Sequence, residues 1–135
     1  MQYVTWAFAW APGLLTLIWT RTGGERSQEQ RKSIAPADLL TRIDRGDTMA
    51  ILDVRSATEF ASGHVPGAVN VPFDAVTSRM QEVPGSADQE LIVYCGHGPR
   101  AYLAARSLRR GGRSRIVMLS GHFSAWQRAG LRVAR

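Results

Sequence analysis

LIVYCGHGPRAYLAARSL, residues 91–108, is the stretch from which the rest of the chain can be read. It opens with four apolar residues, Leu91 to Tyr94, the pattern of a central parallel strand covered on both faces. Arg100 to Arg110 is rich in alanine, leucine and arginine, all strong helix formers, and predicts a helix. The turn between them holds Cys95, Gly96, His97, Gly98 and Pro99. In an open α/β sheet, this junction at the carboxyl end of a strand is where ligands bind.

Cys95 is the only cysteine, so no intramolecular disulfide holds the fold, and the residue is either a small buried hydrophobe or a reactive thiol. Its neighbours favour the thiol. Gly96 and Gly98 tolerate crowded backbone angles, so backbone N–H groups between Gly96 and Arg100 can converge on one point. Pro99 presets φ for the first helical turn and lacks an N–H that would have gone unpaired there. With the helix N-terminus and the Arg100 cation, these donors favour thiolate and lower a thiol pKa that is about 8.5 when unperturbed. His97 reads two ways, as a proton shuttle or orienter of a substrate anion, or as an exposed loop residue without a role.

Outward from this stretch, helical and strand patterns alternate, which predicts an α/β fold with a mostly parallel central sheet flanked by helices. Pro36 with Leu39, Leu40 and Ile43 predicts a short amphipathic helix ending near Gly46. Met49–Val54 is a buried strand, Ala68–Val71 a brief second one after the Pro66-Gly67 turn, and Phe73–Met80 a helix. Ile116–Leu119 is another strand and Phe123–Ala129 the last helix. Asp53 and Arg55, at the end of a strand adjacent to the Cys95 strand, are either an ion pair bracing the loop or a structural pair with no chemical role.

The chain has 135 residues and 44% hydrophobic content, enough for one packed domain plus an appendage. Its formal charge of +6 is carried by arginine, since Lys32 is the only lysine. The densest basic run, Arg106, Arg109, Arg110, Arg113 and Arg115, reads as a solvated helix end where cations are favoured. It has no interleaved aromatics to stack on bases, so no nucleic-acid partner is expected.

Residues 3–20, YVTWAFAWAPGLLTLIWT, carry no charged side chain and as a helix would span about 27 Å, close to a bilayer core. The expectation is a single transmembrane anchor over residues 1–21, a juxtamembrane linker over 22–33 and the α/β domain over 34–135. A cleaved signal peptide fits less well because no Lys or Arg precedes the apolar run and no small-residue cleavage site follows it. A helix of the soluble core fits less well because its apolar residues surround the helix. The flanking positive charges, Arg21, Arg26, Arg31 and Lys32, all follow the run, which places the domain on the cytoplasmic side of an inner or plasma membrane.

CGHGPR at residues 95–100 resembles the C-x-x-G-x-R active loop of single-domain rhodaneses. LDVR at 52–55 resembles their D-V-R motif, and GHVPGAVNVP at 63–72 their G-H-I-P-G-A-I-N-I-P signature. SGHFSAWQRAGLRV resembles their G-G-x-x-x-W-x-x-x-G-x-P-V tail, with Ser120-Gly121 standing where many relatives have paired glycines. The likeness covers roughly residues 33–135 and implies a rhodanese-like three-layer α/β fold.

The resemblance further implies a sulfurtransferase, in which Cys95 attacks the sulfane sulfur of a donor such as thiosulfate or a low-molecular-weight persulfide. The resulting Cys95 persulfide would pass its sulfur to a thiol or to cyanide. Gly96, His97, Gly98, Pro99 and Arg100 would cradle the anion, with Arg100 its fixed positive charge. His64 and His122 are assigned to the turn and to a helix start. The loop lacks extra basic residues directly after the cysteine, which argues against thiosulfate as a strong donor.

Three rivals are weighed against this reading. A phosphatase or arsenate reductase on the same scaffold needs five residues between Cys and Arg, and Cys95 and Arg100 enclose four. A dinucleotide-binding turn would match Gly96, Gly98 and Ala101, but the following strand, VMLS, ends without the acid that holds a ribose hydroxyl. A membrane-tethered adaptor without catalysis is disfavoured by the intact loop around Cys95. No metal is expected, because His64, His97, His122 and Cys95 lack zinc-type spacing, and no cofactor is expected beyond the transferred sulfur.

Overall fold

The computed structural model describes residues 33–135. The expected anchor over residues 1–21 and the linker up to residue 32 lie outside the described residues. Among the described residues no helix is long and apolar enough to cross a membrane.

Five parallel strands form one sheet in the order β1-β5-β4-β2-β3. They are β1 (Ser33–Ile34), β2 (Ala50–Asp53), β3 (Val69–Asn70), β4 (Leu91–Tyr94) and β5 (Ile116–Leu119). β4 is central, with Ile51 paired to Ile92 on one side and Ile92 to Val117 on the other. Every residue of β2 and β4 is buried, as the apolar runs predict for strands covered on both faces.

Side chains alternate across the sheet and define two cores. Leu91, Val93 and Cys95 face helix α3 (Pro99–Arg110) through Ala101, Ala104, Ala105 and Leu108. Ile92 and Tyr94 face the opposite layer, where α1 (Pro36–Asp44) contributes Leu39 and α4 (His122–Arg128) contributes Phe123 and Trp126. The three alanines on the buried stripe of α3 leave room for close helix-to-sheet approach. Burial of a side chain such as Leu39 or Leu108 stabilises the fold by roughly 1.5–3 kcal/mol.

The remaining helix, α2 (Ala57–Ser62), begins at a capping box in which the Ser56 side chain and Glu59 satisfy each other's backbone N–H groups. Neither this helix nor β1 was expected from the sequence, although S-x-x-E at residues 56–59 signals the helix start. Ser33, expected at the end of the linker, belongs to the sheet and pairs with Met118.

The helix expected over Phe73–Met80 does not form. Two short 3₁₀ turns, Phe73–Ala75 and Met80–Glu82, stand there instead. Val76, Thr77 and Ser78 are weak helix formers, and the Ser78 hydroxyl donates to the Ala75 carbonyl, closing a local turn. In the basic run, Arg106, Arg109 and Arg110 are exposed as expected. Arg113 is not, being buried with its guanidinium donating to the Pro84 carbonyl at 2.9 Å.

Candidate active site

Cys95 follows directly on β4 and is only 1% exposed, so its sulfur sits inside the loop that leads to α3. The Gly98 N–H donates to Cys95 Sγ at 2.9 Å. Gly98 reaches this position with φ +136°, a backbone angle that L side chains rarely adopt. At Gly96 the constraint is milder: a Cβ there would lie 3.1 Å from Arg100 Nη2, so the guanidinium would have to shift by a few tenths of an ångström.

Burial by itself pushes the Cys95 thiol up. The His122 ring and the N–H groups of Ala101, Gly98 and His97 outweigh it and bring the thiol down to about 7. The Gly98 N–H aims at the sulfur, and the groups that lower its pKa differ in part from those the sequence nominated. His97 contributes its backbone, and its exposed side chain stands at the rim. Pro99 offers no N–H and serves to start α3, while Ala101 supplies a donor from the first turn.

Arg100 does not turn its guanidinium onto the sulfur. It forms a two-pronged ion pair with Glu59, at 2.6 and 3.0 Å. The capping box of α2 holds the Glu59 carboxylate at the loop, and Arg100 crosses Gly96 to meet it. Led by this bond, Glu59 is held down to about 2. Arg100 still lends Cys95 a favourable field, but with its charge largely offset by Glu59.

Asp53 and Arg55 form a buried pair, with Arg55 Nη2 2.7 Å from Asp53 Oδ2 and 2.7 Å from the Gly63 carbonyl it also donates to. Burial would lower the Arg55 pKa, and Asp53 more than reverses this, so the guanidinium stays charged. Its plane centre lies 4.0 Å from the centroid of Phe123, a cation–π contact. The Phe123 N–H donates to the Cys95 carbonyl at 2.9 Å, and the Ser124 N–H to the Gly96 carbonyl at 3.1 Å. The pair thus lies against α4, whose first residues bond the loop, and no hydrogen bond joins it to the sulfur. A cleft of about 330 Å3, lined in part by Arg55, Glu59 and Phe123, opens beside it.

His122 is the site residue that sequence reasoning missed. It is buried, and its Nδ1 accepts from the Cys95 N–H at 3.3 Å. Counting the G-G-x-x-x-W tail back from Trp126 puts the glycine pair on Gly121 and His122, one residue later than Ser120-Gly121. That count was the available signal, for the backbone agrees with it: φ is +69° at Gly121 and +57° at His122. His64, by contrast, keeps the structural place expected of it, stacked on Phe60 with Nδ1 2.8 Å from the Phe60 carbonyl.

The Rhodanese-like domain family model matches residues 35–129. A sulfurtransferase of Allochromatium vinosum is 33% identical over 93 residues, covering 69% of this chain and 85% of that protein. An HTH-type transcriptional regulator of Mycobacterium tuberculosis is 34% identical over 103 residues, covering 75% of this chain and 44% of the regulator. Another relative, from Bacillus subtilis, is also longer, and the chain spans 63% of its length. Among solved structures, the human single-domain sulfurtransferase TSTD1 superposes with a TM-score of 0.63 at 25% identity, over 72% of this chain and 96% of that one.

Proposed function

The chain belongs to the rhodanese-like domain family, and from that premise we propose that it is a sulfurtransferase that carries sulfane sulfur on Cys95. The observation that carries this reading is the buried sulfur that receives the Gly98 N–H at 2.9 Å. A cradle of neutral donors around one atom suits a sulfur anion, and here it also brings the thiol down to about 7. The orientation of Arg100 toward Glu59 speaks against a phosphatase, whose arginine would have to grip a tetrahedral oxyanion.

In the first step Cys95 thiolate attacks the outer sulfur of a low-molecular-weight persulfide, such as glutathione persulfide. The Sγ–S bond forms, the donor S–S bond breaks, and glutathione leaves as the thiol, keeping the donor's proton. In the second step a nucleophile, for example cyanide, attacks the outer sulfur of Cys95–S–S⁻. The C–S bond forms, the S–S bond breaks, and its electron pair returns to Sγ as thiolate.

Incubation with glutathione persulfide should add about 32 Da, one sulfur atom, at Cys95, and Cys95→Ser should abolish the adduct. Sulfur transfer that survives in full in Cys95→Ser would refute the assignment. The charge-free run over residues 3–20 supports a second part of the proposal, a membrane tether with the domain on the cytoplasmic side. Deletion of residues 1–21 should release a folded domain from membranes; a truncated chain that is unfolded would overturn it.

A further inference from the structure

His122 combines three properties that do not ordinarily coincide. It is a side chain with φ +57°, it is 6% exposed, and its ring lies against the nucleophile's own turn. A non-glycine residue in the left-handed region is uncommon, although histidine visits it more than most, and strained positions gather at functional sites. A helix-start role alone gives no reason for an imidazole there.

The ring bridges both ends of the turn. At one end Nδ1 accepts the Cys95 N–H, which makes that nitrogen the lone-pair side of the ring. A neutral imidazole that accepts at Nδ1 carries its hydrogen on Nε2. At the other end Nε2 reaches Gly98, where a Cβ would lie 3.4 Å from it. Gly98 is the residue whose N–H already points at Cys95 Sγ. Nε2 thus lies beside Gly98, the residue whose N–H addresses the sulfur. Tyr102 closes the outer side, its ring edge-on to His122 with centroids 6.3 Å apart.

We propose that the imidazole of His122 is a binding residue for the transferred sulfur, its Nε2–H donating to the sulfur anion that Cys95 holds. The inference rests on the sulfurtransferase reading and deepens it by adding a side-chain donor to a cradle otherwise made of backbone. The ring does not hand over its proton, since that would leave an imidazolate. It stabilises the anion as thiolate and as persulfide. The other charged or titratable groups around the site are Tyr102 on α3, the exposed His97, the Glu59–Arg100 pair across Gly96 and the Asp53–Arg55 pair behind Phe123. All of them are retained in the test.

His122→Asn and His122→Gln separate the two ends of the ring. Asn adopts left-handed angles readily and places an acceptor where Nδ1 stands, but it does not reach Gly98. Gln places an N–H near the Nε2 position. Iodoacetamide alkylation of Cys95 is followed against pH in each variant, alongside thiocyanate formation from glutathione persulfide and cyanide.

The expected result is that His122→Asn keeps the wild-type melting temperature while its alkylation midpoint rises by about one pH unit, about tenfold less thiolate below the midpoint. His122→Gln should restore part of that shift, and thiocyanate formation should follow the same order. Wild-type alkylation and transfer profiles in His122→Asn would overturn the proposal and leave His122 structural. Should His122→Asn fail to fold, His122→Gly, with no backbone strain at φ +57°, supplies the same comparison. Because alkylation needs no sulfur donor, it tests His122 even if the persulfide never forms, so failure of the transfer reading is told apart from failure of this one.

Discussion

Acidification is the sharpest probe of the loop around Cys95. With the thiol brought down to about 7, the thiolate fraction falls only about tenfold, from about 90% to about 9%, between about pH 8 and about pH 6. An ordinary thiol with pKa about 8.5 would fall about 75-fold over the same interval, from about 24% to about 0.3%. The two also differ in shape, because Cys95 saturates above about pH 8 while a free thiol continues to gain. The assay is the pseudo-first-order rate of iodoacetamide alkylation of the folded domain, read by mass spectrometry, with Cys95→Ser as the blank. A fall near 75-fold without a plateau would refute the view that the His122 ring and the N–H groups of Ala101, Gly98 and His97 outweigh burial. The linked stability has a definite sign. The native pKa lies below the unfolded one, so the unfolded chain binds more protons between them and stability rises with pH from about 7 to about 8.5, a slope that Cys95→Ser removes.

Arg55→Ala should cost about 3–5 kcal/mol in urea unfolding, because Asp53 would keep a buried charge without its partner; a loss under about 1 kcal/mol would show the pair to be dispensable. Gly98→Ala forces a side chain to φ +136° beside His122 Nε2 and should cost about 1–3 kcal/mol, with slower alkylation of Cys95; wild-type alkylation would mean that the turn tolerates another path. The Glu59–Arg100 bridge rests on a carboxylate held down to about 2, so its contribution is fully present above about pH 4.5 and is lost as pH falls toward about 2. Glu59→Gln should flatten that part of the acid-unfolding curve, and an unchanged curve would refute the bridge's role.

The core strands of the sheet were legible because β4 is a continuous apolar run and β2 is apolar up to Asp53, a pattern that a doubly covered strand can bury. Cys95 and the glycines of its loop were legible for a related reason: their chemistry is local, confined to one turn between strand and helix. What escaped notice depends on distant partners. Arg100 looked like the sulfur's counter-charge until Glu59, 41 residues earlier, took it. Nothing in the CGHGPR stretch announces that competition, although the capping box that positions Glu59 is itself a sequence pattern. His122 lies 27 residues after Cys95 and meets it only because β5 lies beside β4 and delivers α4 over the loop. The expected helix over Phe73–Met80 failed on local grounds, since Val76, Thr77 and Ser78 are three weak helix formers in succession.

The near-complete burial of Cys95 has a consequence for oxidative chemistry. A disulfide requires the two Cα atoms to come within about 7 Å of each other, and a thiol seated under its own turn does not let a second backbone approach so closely. Two copies of the chain are thereby kept from cross-linking through their sole thiols. A single added sulfur extends outward by only about 2 Å, one S–S bond. A one-atom addition at Cys95 therefore asks far less room of the turn than a bridge to a second chain would.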